Sequence, residues 1–290
     1  MICLCQHLNA SVALTCRILG VARSWFYYRR QPRQLRPLRR PQLTGVIQQV
    51  LAQCPPSYGY RRIHALLLRL GIHCNRKTVY QHLKRQAWLA SHRHRTLRPG
   101  RRHDGKVAVL QSNQRWACDI TTLTLWNQHK LRLAVIIDCA DRMILAWKLQ
   151  PRILAQDICE LLREALFKRF THNLQQAKGL GFLTDNGPEF IADPLQQLLA
   201  QLQMAPCRTP CRSPQSNGLV ESFFGSFKRD YLAHHPLDTL AEAVKYIPDW
   251  IIHYNEVAPH SALAMSSPAT FYQQSLTDSH TKTTTTPVQS

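Results

Sequence analysis

The sequence predicts an α/β fold preceded by a small all-helical unit, and three observations carry that expectation. After residue 110, three strand-like segments follow one another with short loops, as in an antiparallel meander. Beyond them strands alternate with helices, the pattern of an α/β sheet. The front of the chain shows helical periodicity around a tight turn and carries the charge imbalance: residues 1–110 hold 21 Lys and Arg against one acid, Asp104, whereas residues 111–290 hold 16 of each sign. An excess of +20 confined to the front points to a polyanionic partner there, nucleic acid before an anionic membrane.

Length and composition narrow the class further. A chain of 290 residues with 44% hydrophobic residues can bury two or three compact cores, which excludes a disordered polymer and a disulfide-stapled miniprotein. The ten cysteines follow no charged-then-apolar leader, so they read as reduced thiols of a cytoplasmic protein. The close pairs Cys3/Cys5 and Cys207/Cys211 lack a second pair or a spaced His pair, so no zinc site is expected. Leu133–Ile137 is cut short by Asp138, and Ile251-Ile252 lies between Asp249 and His253, so no membrane span is expected.

Along the chain, residues 1–30 read as helical, a possible helix-turn-helix: Val12, Cys16 and Leu19 share a face, Gly20 breaks it, and Val21–Tyr28 resumes. Residues 31–55 read as a basic Pro-rich linker. Residues 56–90 read as a helix-turn-helix, with Ile63, Leu66, Leu67 and Leu70 on one stripe, a turn at Gly71, Asn75 as N-cap, and Val79 and Leu83 on the next stripe. Arg76, Lys77, Gln81, His82, Lys84 and Arg85 fall outside that second stripe, which suits a recognition helix lying against DNA; a solvated basic face is the plainer reading. Residues 91–110 form a second basic linker.

Strands are expected at Trp116–Leu125, Leu131–Asp138 and Ile144–Leu149, then a helix over Ile153–Phe170, a short strand Phe182–Thr184, a helix Asp193–Leu202 and a strand near Gln203–Arg208. A Pro/Ser/Asn/Gly loop, Ser213–Gly218, leads into a helix over Leu219–Leu232 with Val220, Phe223, Phe224, Phe227 and Tyr231 inward. A last helix covers Leu240–Tyr254. Residues 111–274 thus form the α/β domain, and 275–290, with its threonine run, a floppy tail.

Three acids in this domain are candidates for chemistry. Asp119 interrupts the apolar strand Trp116–Thr121; Asp185 is presented from the end of a strand in Thr184-Asp185-Asn186-Gly187; Glu221 opens an otherwise aromatic helix. Each alone has a structural reading, as a strand polar residue, a turn acid or a helix N-terminal charge. Brought within a few ångströms, they would repel unless divalent cations neutralised them, and Mg²⁺ suits an all-oxygen donor set. Two such ions about 3.5–4 Å apart serve in-line phosphoryl displacement. Lys228 lies two helical turns beyond Glu221, about 10 Å along the axis, and could grip DNA phosphate. Asn186, Asn217 and Gly218 flank the acids, where Asn can contact DNA or cap the helix. Asp138 and Asp141 read as structural turn acids rather than metal ligands, and the scattered histidines carry no catalytic role.

At these residues the chain resembles the OrfB-type transposases of the insertion-sequence family numbered three, relatives of retroviral integrases, over nearly its whole length. Tyr58-Gly59-Tyr60-Arg61-Arg62-Ile63-His64 and Asn75–Tyr80 resemble the family's helix-turn-helix. Trp116–Thr121, Thr184–Gly187 and Ser213–Glu221 resemble its three catalytic boxes, with Lys228 at the basic position after the Glu, and Tyr254–Leu263 with Ser267-Pro268 resembles its ending. Ala258 departs from the family's Arg before Pro-His-Ser, which bears on any phosphate contact there and not on the catalytic boxes.

The resemblance implies an RNase H-like fold, a mixed five-stranded sheet flanked by helices, with Asp119 on the first strand, Asp185 after the fourth and Glu221 on a following helix as catalytic and metal-binding residues. It implies divalent-ion catalysis, with two Mg²⁺ ions expected and Mn²⁺ able to substitute; DNA contacts are expected, from the residues themselves, at Arg76, Lys77, Gln81, Lys84, Arg85, Asn217 and Lys228. The implied reaction is cleavage at the element's terminal inverted repeats and joining of the freed 3′-OH to target DNA. Synapsis of two ends calls for at least a dimer, and the family is often expressed as a frameshift fusion to an upstream OrfA-type helix-turn-helix protein. A non-catalytic DNA-binding regulator or decayed transposase, and a nuclease without joining activity, are the competing readings.

Overall fold

The structure, a computed structural model, describes residues 11–24, 27, 37–90, 109–171, 173–208, 218–235 and 237–283. The chain divides into two units, Met1–Pro41 and Gln42–Ser290. In the first, helix α1 (Val12–Ile18) is capped by Ser11, whose Oγ accepts from the Leu14 amide at 3.2 Å. The expected second helix around Tyr28 falls partly outside the described residues.

The second unit opens with three helices, α2 (Leu43–Ala52), α3 (Tyr60–Arg69) and α4 (Arg76–Arg85). Helix α2 corrects the sequence reading, which carried the basic linker through residue 55. Leu43, Ile47 and Val50 recur at helical spacing, and they are buried in one core with Tyr58, Ile63, Leu67, Val79 and Leu83. Two short helices present too little apolar surface to close a core, so α2 completes it. Gly71 takes the left-handed φ of +74° that the turn between α3 and α4 requires, and Asn75 caps α4 by accepting from the Lys77 amide at 2.8 Å. His82, expected on the outer basic face, is buried instead, its Nδ1 2.8 Å from Thr44 Oγ1 on α2. With α2 unread, the sequence offered no surface for that side of α4 to meet.

The sheet follows. Strands β1 (Arg115–Thr124), β2 (Lys130–Asp138) and β3 (Ile144–Gln150) form the antiparallel meander, and β4 (Gly181–Thr184) and β5 (Ala205–Arg208) add parallel strands on the other side of β1. The order β3-β2-β1-β4-β5 is the mixed five-stranded sheet of the RNase H-like fold. Helices α5 (Ala155–Phe170), α6 (Pro188–Ile191) and α7 (Asp193–Gln201) pack with Trp116 and Cys118 on one face. Helices α8 (Gly218–Phe227) and α9 (Leu240–Glu256) pack with Ala117 and Leu123 on the other. The period-two alternation of β1 therefore sends its side chains into two separate cores. Helix α8 runs without a break into a π-helical turn, Lys228–Leu232.

Two polar devices lock this frame. Asp138 is fully buried and accepts from the Asn113, Ala140 and Asp141 amides and from Trp116 Nε1, at 2.7, 2.8, 3.2 and 3.1 Å. Arg169 on α5 meets Asp141 at 2.8 Å and Asp138 at 3.6 Å. Every one of these contacts serves the β2–β3 turn and its packing, as the sequence reading of both acids holds. The second device is Asn255 on α9, whose amide oxygen accepts from the Ile144 amide and whose Nδ2 donates to the Ile144 carbonyl, both at 2.9 Å. The side chain thus stands in for a neighbouring strand at the edge of β3.

Helix α10 (Pro268–Thr283) extends through the start of the stretch expected as a tail, and residues 284–290 lie outside the described residues. Tyr272 stacks on the Arg169 guanidinium at 3.9 Å, which anchors the helix. Once anchored, a polar helix propagates without an apolar stripe of its own. Among the described residues no helix is long and apolar enough to cross a membrane.

Removing the Asn255 amide strands a buried N–H and a buried C=O. Asn255→Ala should therefore cost about 2–4 kcal/mol of unfolding free energy, measured by urea denaturation with an unchanged far-ultraviolet spectrum.

Candidate active site

Asp119 and Asp185 are brought together by strand register. Strands β1 and β4 run parallel with Arg115, Trp116 and Ala117 opposite Gly181, Phe182 and Leu183. Continued by two residues, the same register sets Asp119 beside Asp185, just past the carboxyl end of β4. Neighbouring strands lie about 4.8 Å apart, and the charge of Asp185 acts on Asp119. By alternation along β1, Asp119 falls on the face of Ala117 and Leu123, which α8 covers.

Local hydrogen bonds aim each group. Asp119 Oδ1 accepts from the Ile120 amide at 2.8 Å, and Asp185 Oδ1 accepts from the Gly187 amide at 3.0 Å, closing a turn. Gly187 is held close: a Cβ there would stand 3.1 Å from Asp185 Oδ1 and 3.2 Å from Glu189 Oε2. Glu221 sits in the first turn of α8, which lies across β1 on the same face.

The electrostatics bear out the crowding. Asp119 is pushed up to about 6, first by burial and then by the charges of Asp185, Glu221 and Glu189, against the opposing Ile120 hydrogen bond. The neighbouring Cys118 thiol is pushed up by burial, with Asp119, Asp185 and Glu189 adding to it. The carboxylates share a face and feel one another's charge, yet among the described residues no three His, Cys, Asp or Glu side chains close on a common point. The donor set of Asp119, Asp185 and Glu221 is all oxygen and negatively charged, which is the chemistry that a hard divalent ion satisfies.

Other expected site residues are distributed as follows. Lys228 opens the π-helical turn and donates from Nζ to Thr121 Oγ1 at 2.8 Å, two residues along β1 from Asp119 and on the same face. On α4, Arg76, Lys77, Gln81 and Lys84 are exposed and Arg85 is half-buried, a basic surface opposite the Val79/Leu83 stripe. Asn217 lies outside the described residues. The sequence reading missed Glu189, whose Oε1 accepts from Arg132 on β2 at 3.1 Å. Its place four residues after Asp185, at the start of a Pro-initiated helical turn, was the available signal. The ending motif is structural here: Asn255 clamps β3, His260 packs edge-on against Tyr254 at 4.5 Å, and Ala258 is buried in the core of the helical unit.

Comparison with known proteins matches two integrase core domain models, to residues 110–214 and 202–268, and an HTH-like domain model to residues 39–96. The transposase InsD of insertion element IS2 from Escherichia coli is 36% identical over 225 residues, 76% of this chain and 74% of that protein. The chain belongs to the insertion-element transposases. It is a polynucleotidyl transferase with the integrase-type core, and the HTH-like match spans α2 as well as α3 and α4. A protein of insertion element IS136 from Agrobacterium fabrum is 41% identical over 181 residues, 62% of this chain and 92% of that protein. A chain of the simian T-cell lymphotropic virus intasome superposes with a TM-score of 0.47 at 18% identity, over 72% of this chain and 74% of that one.

The raised Asp119 has a thermodynamic consequence. Between the ordinary carboxylate value near 4 and about 6, the folded transposase binds more protons than the unfolded chain, so its stability falls as pH rises through that window. Asp119→Asn removes that loss. In metal-free buffer the variant should be more stable than wild type by about 1–2 kcal/mol at pH 8 and close to it at pH 4, as read from urea unfolding at the two pH values. A wild-type protein at least as stable as the variant at pH 8 would contradict the crowded-carboxylate description.

Proposed function

We propose that Asp119, Asp185 and Glu221 are the catalytic carboxylates of this transposase, and that they act on the ends of the insertion element that encodes it. The register that sets Asp119 beside Asp185 under the α8 face carries the reading. Divalent cations bound there, two Mg²⁺ or Mn²⁺ ions, would neutralise the carboxylates and stabilise the charge of an in-line phosphoryl displacement. Asp119 and Asp185 supply a pair of oxygens held by the sheet and the turn after it, and Glu221 supplies the third group from the first turn of α8. The Ile120 and Gly187 amides hold the first two carboxyl groups in orientation.

The reaction that follows is hydrolysis of a phosphodiester at the element end, releasing a 3′-OH, and attack of that 3′-OH on a target phosphodiester. Lys228, tied to Thr121 beside the acids, contributes a cation for the DNA backbone. Arg76, Lys77, Gln81, Lys84 and Arg85 on α4, with Asn217 before α8, contact the DNA, and the phosphate-facing cations release counterions on binding. Synapsis of two ends requires at least a dimer, and an upstream OrfA-type protein fused to the front would add a further DNA-reading module. The protein acts in the bacterial cytoplasm, at the nucleoid.

A cleavage and strand-transfer assay on element-end oligonucleotides tests the core of this. Asp119→Asn, Asp185→Asn or Glu221→Gln should each reduce Mg²⁺-dependent cleavage and joining by about a hundredfold or more while end binding survives; full activity in any one removes that residue from the site. Specific binding by wild type with no metal-dependent scission would favour a non-catalytic regulator, and scission without joined product a nuclease.

For binding, affinity should fall about a thousandfold or more between 50 and 200 mM salt if six or more phosphates are held, and Arg76→Ala or Lys77→Ala should lower the salt slope by about one. A flat salt dependence would take the basic front out of the DNA complex.

A further inference from the structure

The helical unit of α2, α3 and α4 and the helix that carries Glu221 meet at one buried acid. Asp230 lies in the π-helical turn that continues α8, and only 5% of it is exposed. Its carboxylate accepts from Arg62 Nη1 on α3 at 2.8 Å and from Ser57 Oγ, just before α3, at 2.6 Å. Arg229 closes the other side in a fork, Nε to Oδ1 at 2.6 Å and Nη2 to Oδ2 at 2.8 Å. Arg62 also lies over the Tyr58 ring at 4.6 Å, inside the core of the helical unit.

A second attachment fixes the far end of α3. Arg69 donates to the Val257 carbonyl at 2.6 Å and to the Met265 carbonyl at 2.8 Å, both in the segment that follows α9. Helix α3 is therefore held at both ends by the body that carries the sheet, and α4, packed in the same core, takes its position from α3. The two attachments are not equivalent. Arg69 grips a carbonyl segment distant in sequence from the carboxylates, whereas Arg62 and Ser57 grip a residue nine positions from Glu221 on one uninterrupted helical element. That element also holds Lys228 against Thr121, beside Asp119.

We propose that Asp230 is a positioning residue: through Arg62 and Ser57 it couples the DNA-reading face of α4 to the placement of Glu221. The carboxylates are gathered on one face without closing on a common point, and the seat of α8 on β1 sets where Glu221 stands relative to Asp119 and Asp185. A load taken up by α4 on DNA passes to α3 through their shared apolar core, to Asp230 through two short hydrogen bonds, and along α8 to Glu221. The carboxylate suits this role because a buried acid with four donors has one arrangement that satisfies them all. This inference rests on the reading that the α4 face meets DNA.

Hydrogen exchange followed by mass spectrometry tests the coupling without requiring catalysis. The full chain would be compared with and without a duplex carrying one end of the element, and with a scrambled duplex of equal length. In wild type, the end duplex should slow exchange in α4 and, by about tenfold or more, across residues 218–232. In Asp230→Asn, confirmed folded by circular dichroism, binding and protection of α4 should persist while protection of 218–232 is lost. Ser57→Ala, which removes a single hydrogen bond, should lie between the two and covers the case of a misfolded Asn variant. Protection of 218–232 that is equal in wild type and both variants, or missing from wild type while α4 is protected, would overturn the coupling. Failure of the end duplex to protect α4 in wild type would instead overturn the DNA-binding reading beneath it.

Discussion

Like charges gathered on one face repel, and the structure of this transposase depends on a backbone that keeps them there. The parallel register of β1 and β4 is that constraint. It positions Asp119 and Asp185 through main-chain hydrogen bonds and through two apolar cores, one on each face, so the carboxyl groups need no attraction for each other to remain adjacent. Trp116 and Cys118 are buried against α5, while Ala117 and Leu123 are buried against α8 and α9, and Asp119 sits between these anchors on the second face. Burying a few large side chains stabilises by several kcal/mol, enough to offset one strained carboxylate. Asp119 is carried by a strand whose neighbours determine its position.

Much of this was legible because it is local. Strand alternation around Asp119, the helical stripes of residues 63–83 and the Asn75 cap are properties of contiguous residues, and they reappear as β1, α3, α4 and an N-cap bond. The acids stood out because each breaks an apolar pattern. What escaped was either hidden by composition or set at long range. Helix α2 follows directly on an Arg- and Pro-rich stretch whose character does not extend past residue 42, although the linker reading runs to residue 55, and His82 is misplaced with it. Asp230 sits next to Arg229 and reads as an ordinary helix-surface pair; its other partners, Ser57 and Arg62, come from 173 and 168 residues earlier and leave no trace in the local pattern. Glu189 was passed over for the same reason, since Arg132 reaches it across the sheet.

The polar contacts divide by purpose. Asp138 and Asp141 are fully buried where Asp119 is half-buried; Asp138 is met by three backbone amides, Asp141 by one, and both by Arg169, which makes them fixtures of a turn. Asp119 has one amide and several negative neighbours. The two kinds of surroundings therefore differ in whether a cation and several amides face the acid, and sequence position alone does not disclose that difference.

Ala258 lies in the apolar core of the helical unit, and Arg69 on α3 hangs on carbonyls of residues 257 and 265. Early and late parts of the polypeptide are thus interlocked. During synthesis the three front helices emerge long before the segment that finishes their packing, so a nascent or prematurely terminated chain presents an unfinished front. The contacts of Arg69 and Ala258 form only once residues 257–265 have been made.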